Sequence, residues 1–339
     1  MNASSLVVIA RDEERCLARA LESAAPYVDE LLVLDTGSTD ATVEIALGCG
    51  ARVEHFPWCD DFAAARNRAL ELASHPLRLV LDADEWVESG GEALARWGAV
   101  NPGRVGWVTR RDLVPDSSRA GVGPSVSVER LVRVLPSDVR YEGSIHEQPV
   151  HPDPAVASGL VLGHDGYLPA ANTAKRGRNE RLLRRALAGG FDPYLSYQLA
   201  KELEVQERYH EAVESYLVAL ERTPHEAAWR HPLVVRTLHL LTRTERFDEG
   251  VALFESERTR WSRSPDLFFA AGDLFLQMTA TRKRDAGVLI ELARTCWAQC
   301  LEIGDRPDLV GSVSGRGGAL AQYNLDVVSG VTIGRGGVQ

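Results

Sequence analysis

The sequence predicts an α/β domain built on a parallel, doubly wound sheet, followed by an all-α domain. Three observations predict it. Short apolar runs alternate with amphipathic helical stretches through Glu85, each apolar run stops at a polar or acidic turn, and from Asn172 onward the texture is helix-forming with few strand signals. A chain of 339 residues exceeds one typical domain and has material for a core in each of two. The expected organisation is a catalytic-type α/β domain over residues 1–170, helical repeats over 171–304 and an irregular cap or tail over 305–339.

Taken in order, Leu6 to Ile9 reads as the first strand. Arg11-Asp12-Glu13-Glu14 then opens a helix with apolar positions at Leu17, Ala20, Leu21 and Ala24, and Pro26 ends the pattern. Leu31 to Leu34 is the second strand, ending in Asp35-Thr36-Gly37-Ser38-Thr39-Asp40 ahead of a helix carrying Val43, Ile45 and Leu47. Val53 marks a short third strand, and Phe62 to Leu72 a third helix. The apolar run Leu79-Val80-Leu81 then meets Asp82-Ala83-Asp84-Glu85. Beyond Trp86 strands are expected at Val105–Thr109, Val126–Val134 and Leu160–Leu162. The Ser- and Gly-rich stretch Asp116–Pro124 reads as a flexible loop, a candidate lid or acceptor loop.

Composition narrows the function. Hydrophobic content of 45%, charged content of 25% and a net charge of -10 describe a soluble globular protein without the broad basic surface that nucleic acid requires. The five cysteines form no CxxC pair and are odd in number, so neither a disulfide framework nor a structural zinc site is expected. Cys296 and Cys300, four apart on one helical face, fit core packing better than metal binding. No basic leader and no run of roughly 18 apolar residues occurs, so the expected location is cytoplasmic with no membrane span.

Ligands of open α/β sheets bind beyond the carboxyl ends of the strands, where Asp35, Asp82 and Asp84 all fall. Alone, Asp82-Ala83-Asp84 reads equally well as a solvated acidic turn before a helix, with Glu85 as that helix's cap. A row of acids on one edge needs a divalent cation, or hydroxyl and N–H groups, to satisfy it, and a nucleotide-sugar with a metal supplies both. Arg66, Asn67 and Arg68 place donors near the same edge. Arg11 and Arg130 are further candidates for phosphate, each weighed against an ordinary ion pair.

The series Ala10-Arg11-Asp12-Glu13-Glu14, Leu34-Asp35-Thr36-Gly37-Ser38-Thr39-Asp40, Ala64-Ala65-Arg66-Asn67 and Leu81-Asp82-Ala83-Asp84-Glu85 resembles family 2 glycosyltransferases of the GT-A fold, a Rossmann-like nucleotide-sugar-binding domain. Asp12 is a departure, since relatives often carry Asn there. The resemblance implies that Asp35 binds the nucleobase, that Glu13 lies near the ribose, and that Asp82 and Asp84 hold Mn²⁺ or Mg²⁺ against the diphosphate. Arg11, Ser38, Arg66, Asn67, Asp82 and Ala83 complete the implied donor site. Ser144-Ile145-His146-Glu147-Gln148 and Gly163-His164-Asp165-Gly166-Tyr167 resemble motifs that close the catalytic domain in a subgroup of the family. Transfer with inversion needs a base for the acceptor proton, worth about 10²- to 10⁴-fold. Glu147 is the first candidate and Asp165 the second, with His146 orienting the base or contacting acceptor or phosphate. His164 is a candidate third metal ligand. For each histidine, the bland reading is a ring bonded to a backbone carbonyl.

In the C-terminal half, Leu199, Ala200, Leu203, Ala212, Tyr216, Ala219 and Pro224 fall at tetratricopeptide spacing within Pro193–Pro224. Arg246-Phe247-Asp248-Glu249-Gly250-Val251 echoes Arg208-Tyr209-His210-Glu211-Ala212-Val213 after 38 residues, which predicts a second unit. A degenerate third is expected near Leu267–Ile303 and a short final helix at Leu320–Val328. Such repeats serve as a groove for a peptide or protein acceptor, or as structural support or a homodimer contact.

The leading expectation is a metal-dependent, inverting transferase that moves a hexose from a nucleotide-sugar, UDP-hexose first, to a peptide, small-molecule or glycan acceptor. Its architecture resembles bacterial GT-A enzymes with appended tetratricopeptide repeats. The alternative is a non-catalytic scaffold with a degenerate transferase domain, against which Asp35, Asp82 and Asp84 speak. A nucleotidyltransferase wants a Gly-rich loop that Arg11 to Arg15 lacks, and a two-carboxylate hydrolase would need neither nucleotide nor metal.

Overall fold

The computed structural model describes residues 3–114, 125–166 and 177–330. The loop expected at Asp116–Pro124 and Tyr167 lie outside them. The chain folds as two compact units, one of residues 1–114 and 129–182, the other of residues 115–128 and 183–339.

In the first unit the chain runs β1 (Ser4–Ala10), α1 (Leu17–Ala24), β2 (Glu30–Asp35), α2 (Thr42–Gly48), β3 (Arg52–His55), α3 (Phe62–Leu72) and β4 (Leu77–Asp82). β5 (Glu85–Ser89), α4 (Leu94–Val100), β6 (Gly106–Val114), β7 (Ser125–Pro136), β8 (Arg140–Glu142), β9 (Gln148–Val150) and β10 (Val156–His164) follow. The eight-stranded sheet has the order β3-β2-β1-β4-β7-β6-β10-β5, and β8 pairs with β9 separately.

Strand alternation explains why this sheet is covered on both faces. Leu6, Val8, Leu79 and Leu81 pack with Leu17, Leu21 and Trp97 on one side. Val7, Leu32, Leu34 and Val80 pack with Ala65, Ala69 and Leu70 on the other. Helix α3 starts where Asp61 accepts the Ala64 amide at 2.9 Å.

The sheet differs from the expected parallel one in its second half. β1 to β4 are parallel, but β7 runs antiparallel to β4 and β5 antiparallel to β10. A parallel connection needs a crossover segment, and only Ala83-Asp84 separates β4 from β5. Glu85 therefore begins a strand rather than capping a helix.

The second unit is helical: α5 (Arg178–Ala188) crosses into it, followed by α6 (Pro193–Val205), α7 (Tyr209–Arg222), α8 (Arg230–Arg243), α9 (Phe247–Glu257), α10 (Pro265–Met278), α11 (Ala286–Ile303) and α12 (Ala319–Val328). The 38-residue echo extends to the hydrogen bonds. Glu207 and Glu245 both take left-handed backbone, at φ +59° and +58°. The Arg208 amide donates to the Leu203 carbonyl at 3.0 Å and the Arg246 amide to that of Leu241 at 2.9 Å. Ala200, Ala212 and Ala219 are fully buried where helices meet, and Cys296 and Cys300 lie in the core around Trp297, with Ala321 of α12. Among the described residues no helix is long and apolar enough to cross a membrane.

Candidate active site

Strand register brings the predicted acids together. Asp35 lies opposite Ala10 and Asp82 opposite Ile9, so both end at one edge of the sheet on either side of β1. At about 4.8 Å per strand they are roughly 10 Å apart.

At the β2 side, the Asp35 carboxylate accepts the amides of Gly37 and Ser38 at 3.1 Å each and meets His55 Nδ1 at 3.2 Å. Burial works to raise its pKa, but the Ser38 and Gly37 hydrogen bonds outweigh it and hold the group below the ordinary value. Across from it, Asp12 takes left-handed backbone at φ +54°. Its amide donates to Ser38 Oγ at 3.0 Å and its carboxylate accepts the Thr39 amide at 2.7 Å. The Glu13 amide donates to Thr42 Oγ1 at 2.8 Å, and the Cys16 thiol donates to Glu13 Oε2 at 3.2 Å. Ser38 is thus fixed beside Asp35 and Glu13 is held against Thr42, while Arg11 stays half exposed, 3.8 Å from Asp12.

At the β4 side the arrangement was not foreseen. Buried Arg66 of α3 donates to both Glu147 and Asp82, and Arg133 of β7 donates to Asp82 at 2.6 Å and to Glu85 at 2.7 Å. Burial opposes ionisation of Asp82, but Arg133 and Arg66 together hold its pKa well below the ordinary value. Glu85, fully buried, also accepts the Asp82 amide at 3.1 Å and pairs with Arg110 at 3.2 Å. Arg110 continues the chain to Asp112 and Glu129, each at 2.7 Å.

The chain of charges ends at His164. Its Nδ1 lies 2.7 Å from Asp112 Oδ1, and its Nε2 lies 3.7 Å from Asp84 Oδ1. Burial would lower its pKa, but the bonds to Asp112 and Asp84 prevail and raise it to about 9. Ala83 is buried between the two acids. A Cβ on Gly166 would fall 2.4 Å from both Asp84 Oδ2 and His164 Nε2, so glycine keeps that space clear.

Other sequence-predicted residues have structural partners. The Asn67 side chain donates to the Tyr141 carbonyl at 2.9 Å and accepts the Tyr141 amide at 2.8 Å, which docks β8 onto α3. Arg68 pairs with Glu71 at 3.3 Å, and Arg130 stacks on Trp107 at 4.7 Å. Asp165, the second candidate base, is buried and clamped by Arg15 at 3.1 Å and Arg19 at 2.8 Å. His146 sits beside Glu147 in left-handed backbone at φ +50°. The Ser144 carbonyl accepts the Phe62 amide at 2.9 Å and ties that loop to the start of α3.

These residues fit a divalent cation. The cradle between Asp84 and His164 is kept open by Gly166, and the surrounding network has more carboxylates than guanidiniums. Among the described residues no cluster of three or more His, Cys, Asp and Glu side chains forms a metal site. Asp84 and His164 are brought together, whereas Asp82 is turned to two arginines. Two protein ligands suit Mg²⁺-like ions, which commonly take one or two protein carboxylates plus substrate phosphates.

A Rossmann-like α/β domain of mixed sheet is the class that this edge and sheet define. More particularly, residues 5–93 match the family described as Glycosyl transferase family 2. A TPR repeat-containing protein of Synechococcus elongatus is 41% identical over 143 residues, 42% of this chain and 34% of that protein. The SPbeta prophage-derived glycosyltransferase SunS of Bacillus subtilis is 25% identical over 224 residues, 61% of this chain and 50% of that protein. The matches therefore span between a third and half of those relatives' own lengths. Glucosyl-3-phosphoglycerate synthase from Mycobacterium tuberculosis, solved with Mn²⁺, UDP and glucosyl-3-phosphoglycerate, is 25% identical over 34% of this chain and 45% of its own, with a TM-score of 0.27.

Proposed function

We propose that the chain is a metal-dependent, inverting glycosyltransferase that moves a hexose from a nucleotide-sugar, UDP-hexose in the first instance, to a peptide, small-molecule or glycan acceptor. One observation carries the reading: Asp35 and Asp82 end the two strands that flank β1 at one sheet edge, and Asp84 follows on the turn that faces His164. Asp35, with Ser38 and Glu13, takes the base and ribose. Asp84 and His164 hold Mn²⁺ or Mg²⁺, with Asp82 alongside.

The cation, when bound, stabilises the charge that develops on the departing diphosphate. The protein's own groups do the rest. Arg66 sits between Glu147 and Asp82, and an arriving diphosphate competes with both for its guanidinium. That competition frees the Glu147 carboxylate to accept the acceptor's proton as the acceptor atom bonds to the anomeric carbon and the nucleoside diphosphate leaves. His146 adjoins this base. The helical repeats present a peptide or protein acceptor.

Thermal shift with UDP, GDP and dTDP, each with and without Mn²⁺, tests the reading. Ligand at 100-fold its Kd stabilises by about 2.7 kcal/mol. The expected result is a Mn²⁺-dependent rise with UDP and loss of metal-dependent donor turnover in Asp84→Ala. Absence of any nucleotide response overturns the proposal.

A further inference from the structure

The charge network beneath the site contains a residue with an assignable task. Parallel pairing of β10 with β6 sets His164 opposite Asp112, and antiparallel pairing with β5 sets it opposite Glu85. Alternation along β6 then puts Arg110 on the same face as Asp112. Asp112 is 1% exposed and its Oδ1 meets His164 Nδ1 at 2.7 Å, while Arg110 Nε contacts the same oxygen at 2.7 Å. Held between a guanidinium and an imidazole, this carboxylate can only accept. It therefore holds the proton on Nδ1, so the proton that a cation displaces is the one on Nε2, on the Asp84 side of the ring.

We propose that Asp112 is a positioning residue that fixes the Nδ1–H tautomer and the ring orientation of His164, so that Nε2 and Asp84 together receive a divalent cation. The inference rests on the reading of Asp84 and His164 as the metal ligands. Carboxylates that orient metal-binding histidines in this way typically govern affinity by 10- to 100-fold, about the effect expected here. Arg110 fixes the carboxylate in turn and ties it through Glu85 and Arg133 to Asp82, so one buried chain of charges sets both the histidine and the acid on the β4 side.

The competing role is a purely structural bridge in which protonated His164 pins β10 to β6. An Asp112→Asn side chain keeps the shape but is neutral and a weaker acceptor toward Nδ1–H, so it no longer holds the ring proton and orientation as the carboxylate does. Mn²⁺ titrations followed by electron paramagnetic resonance, with UDP present, compare the full-length wild-type and D112N proteins, with the melting temperature of each recorded. The expected result is Mn²⁺ affinity weaker by about 10- to 100-fold in D112N, compared at a temperature below the melting transition of both proteins. Equal affinity in the two proteins overturns the inference while leaving the metal reading intact. If the wild type itself takes up no Mn²⁺, the underlying reading falls and the inference with it. Should D112N fail to fold, the tautomer is read on the wild type from the ring ¹⁵N shifts of His164 with Mg²⁺ and UDP bound. The Nδ1–H form supports the proposal and the Nε2–H form overturns it.

Discussion

Two buried histidines, one in each unit, respond to burial in opposite ways. His164 of β10 is 7% exposed and His231 of α8 is 2% exposed, yet the first is raised to about 9 and the second is lowered from its ordinary value of 6.5. Desolvation pushes both down. What differs is the company: Asp112 and Asp84 for His164, the Val310 carbonyl at 2.8 Å and the Ser264 hydroxyl at 2.7 Å for His231. Ser264 also accepts the Leu267 amide at 3.1 Å as the cap of α10, so its own proton is available to His231 Nε2. The sheet unit thus stores buried charge at the edge where a cation and a diphosphate are proposed to bind. The helical unit uses the same residue type, kept neutral, to lock a helix end. Burial alone does not assign a histidine's role; its partners do.

The largest expected effect comes from breaking the charge store. Glu85 faces two arginines with no exposure to water. Glu85→Gln keeps an acceptor for the Asp82 amide but removes the charge that balances Arg110 and Arg133. Taking one partner from a buried ion pair costs about 3 to 5 kcal/mol, and the lower end applies because Asp82, Asp112 and Glu129 still face those arginines. Urea unfolding followed by tryptophan fluorescence measures it. A loss below about 1 kcal/mol would mean that water reaches the network and that Glu85 does not anchor it.

How much of this was legible follows the same division. The strand ends at Asp35 and Asp82 and helix α3 from Phe62 to Leu72 follow from local periodicity and turn chemistry and appear at the predicted residues, and the 38-residue echo of Arg208 at Arg246 falls just ahead of two helices, α7 and α9. The network of Glu85, Arg110, Asp112 and Arg133 does not, because its members come from three strands and meet only through sheet register. A faint signal existed in Arg110 and Asp112, two charges spaced by two on the face of a strand that carries buried Val108, where a polar outward face would be ordinary. Asn67 shows the converse. It stood in a recognisable motif beside Arg66, but both ends of its amide are taken by the Tyr141 backbone, a partner that sequence spacing does not reveal.

The second effect belongs to His231 and has the opposite pH sign from a histidine held by acids. Its folded-state pKa is depressed, so the unfolded chain binds the proton more readily, and stability is complete above pH 6.5 and lost as pH falls below it. Protonation puts a hydrogen on Nε2, so the Ser264 hydroxyl can no longer donate to it and that bond must reverse, on top of the cost of charging a buried ring. Thermal unfolding of the helical unit between pH 5 and 8 is expected to show a falling midpoint on the acid side, and His231→Phe to flatten that dependence. An unchanged slope in the variant would assign the acid sensitivity to another group.

The smallest effect isolates the repeat itself. Arg208 and Arg246 occupy equivalent positions, each 2.7 Å through Nε from a glutamate three residues on, and Arg246 also pairs with Glu214. These pairs lie on a solvated surface where each is worth roughly 0.2 to 1 kcal/mol and weakens in salt. Arg208→Ala and Arg246→Ala are therefore expected to lower the urea midpoint slightly, Arg246→Ala by the greater amount, with the gap closing at high ionic strength. Their equivalence is structural, through the same left-handed turn at Glu207 and Glu245. A loss of several kcal/mol in either variant would mean that these pairs behave like the buried Arg230–Glu257 pair of the same unit rather than as solvated surface pairs.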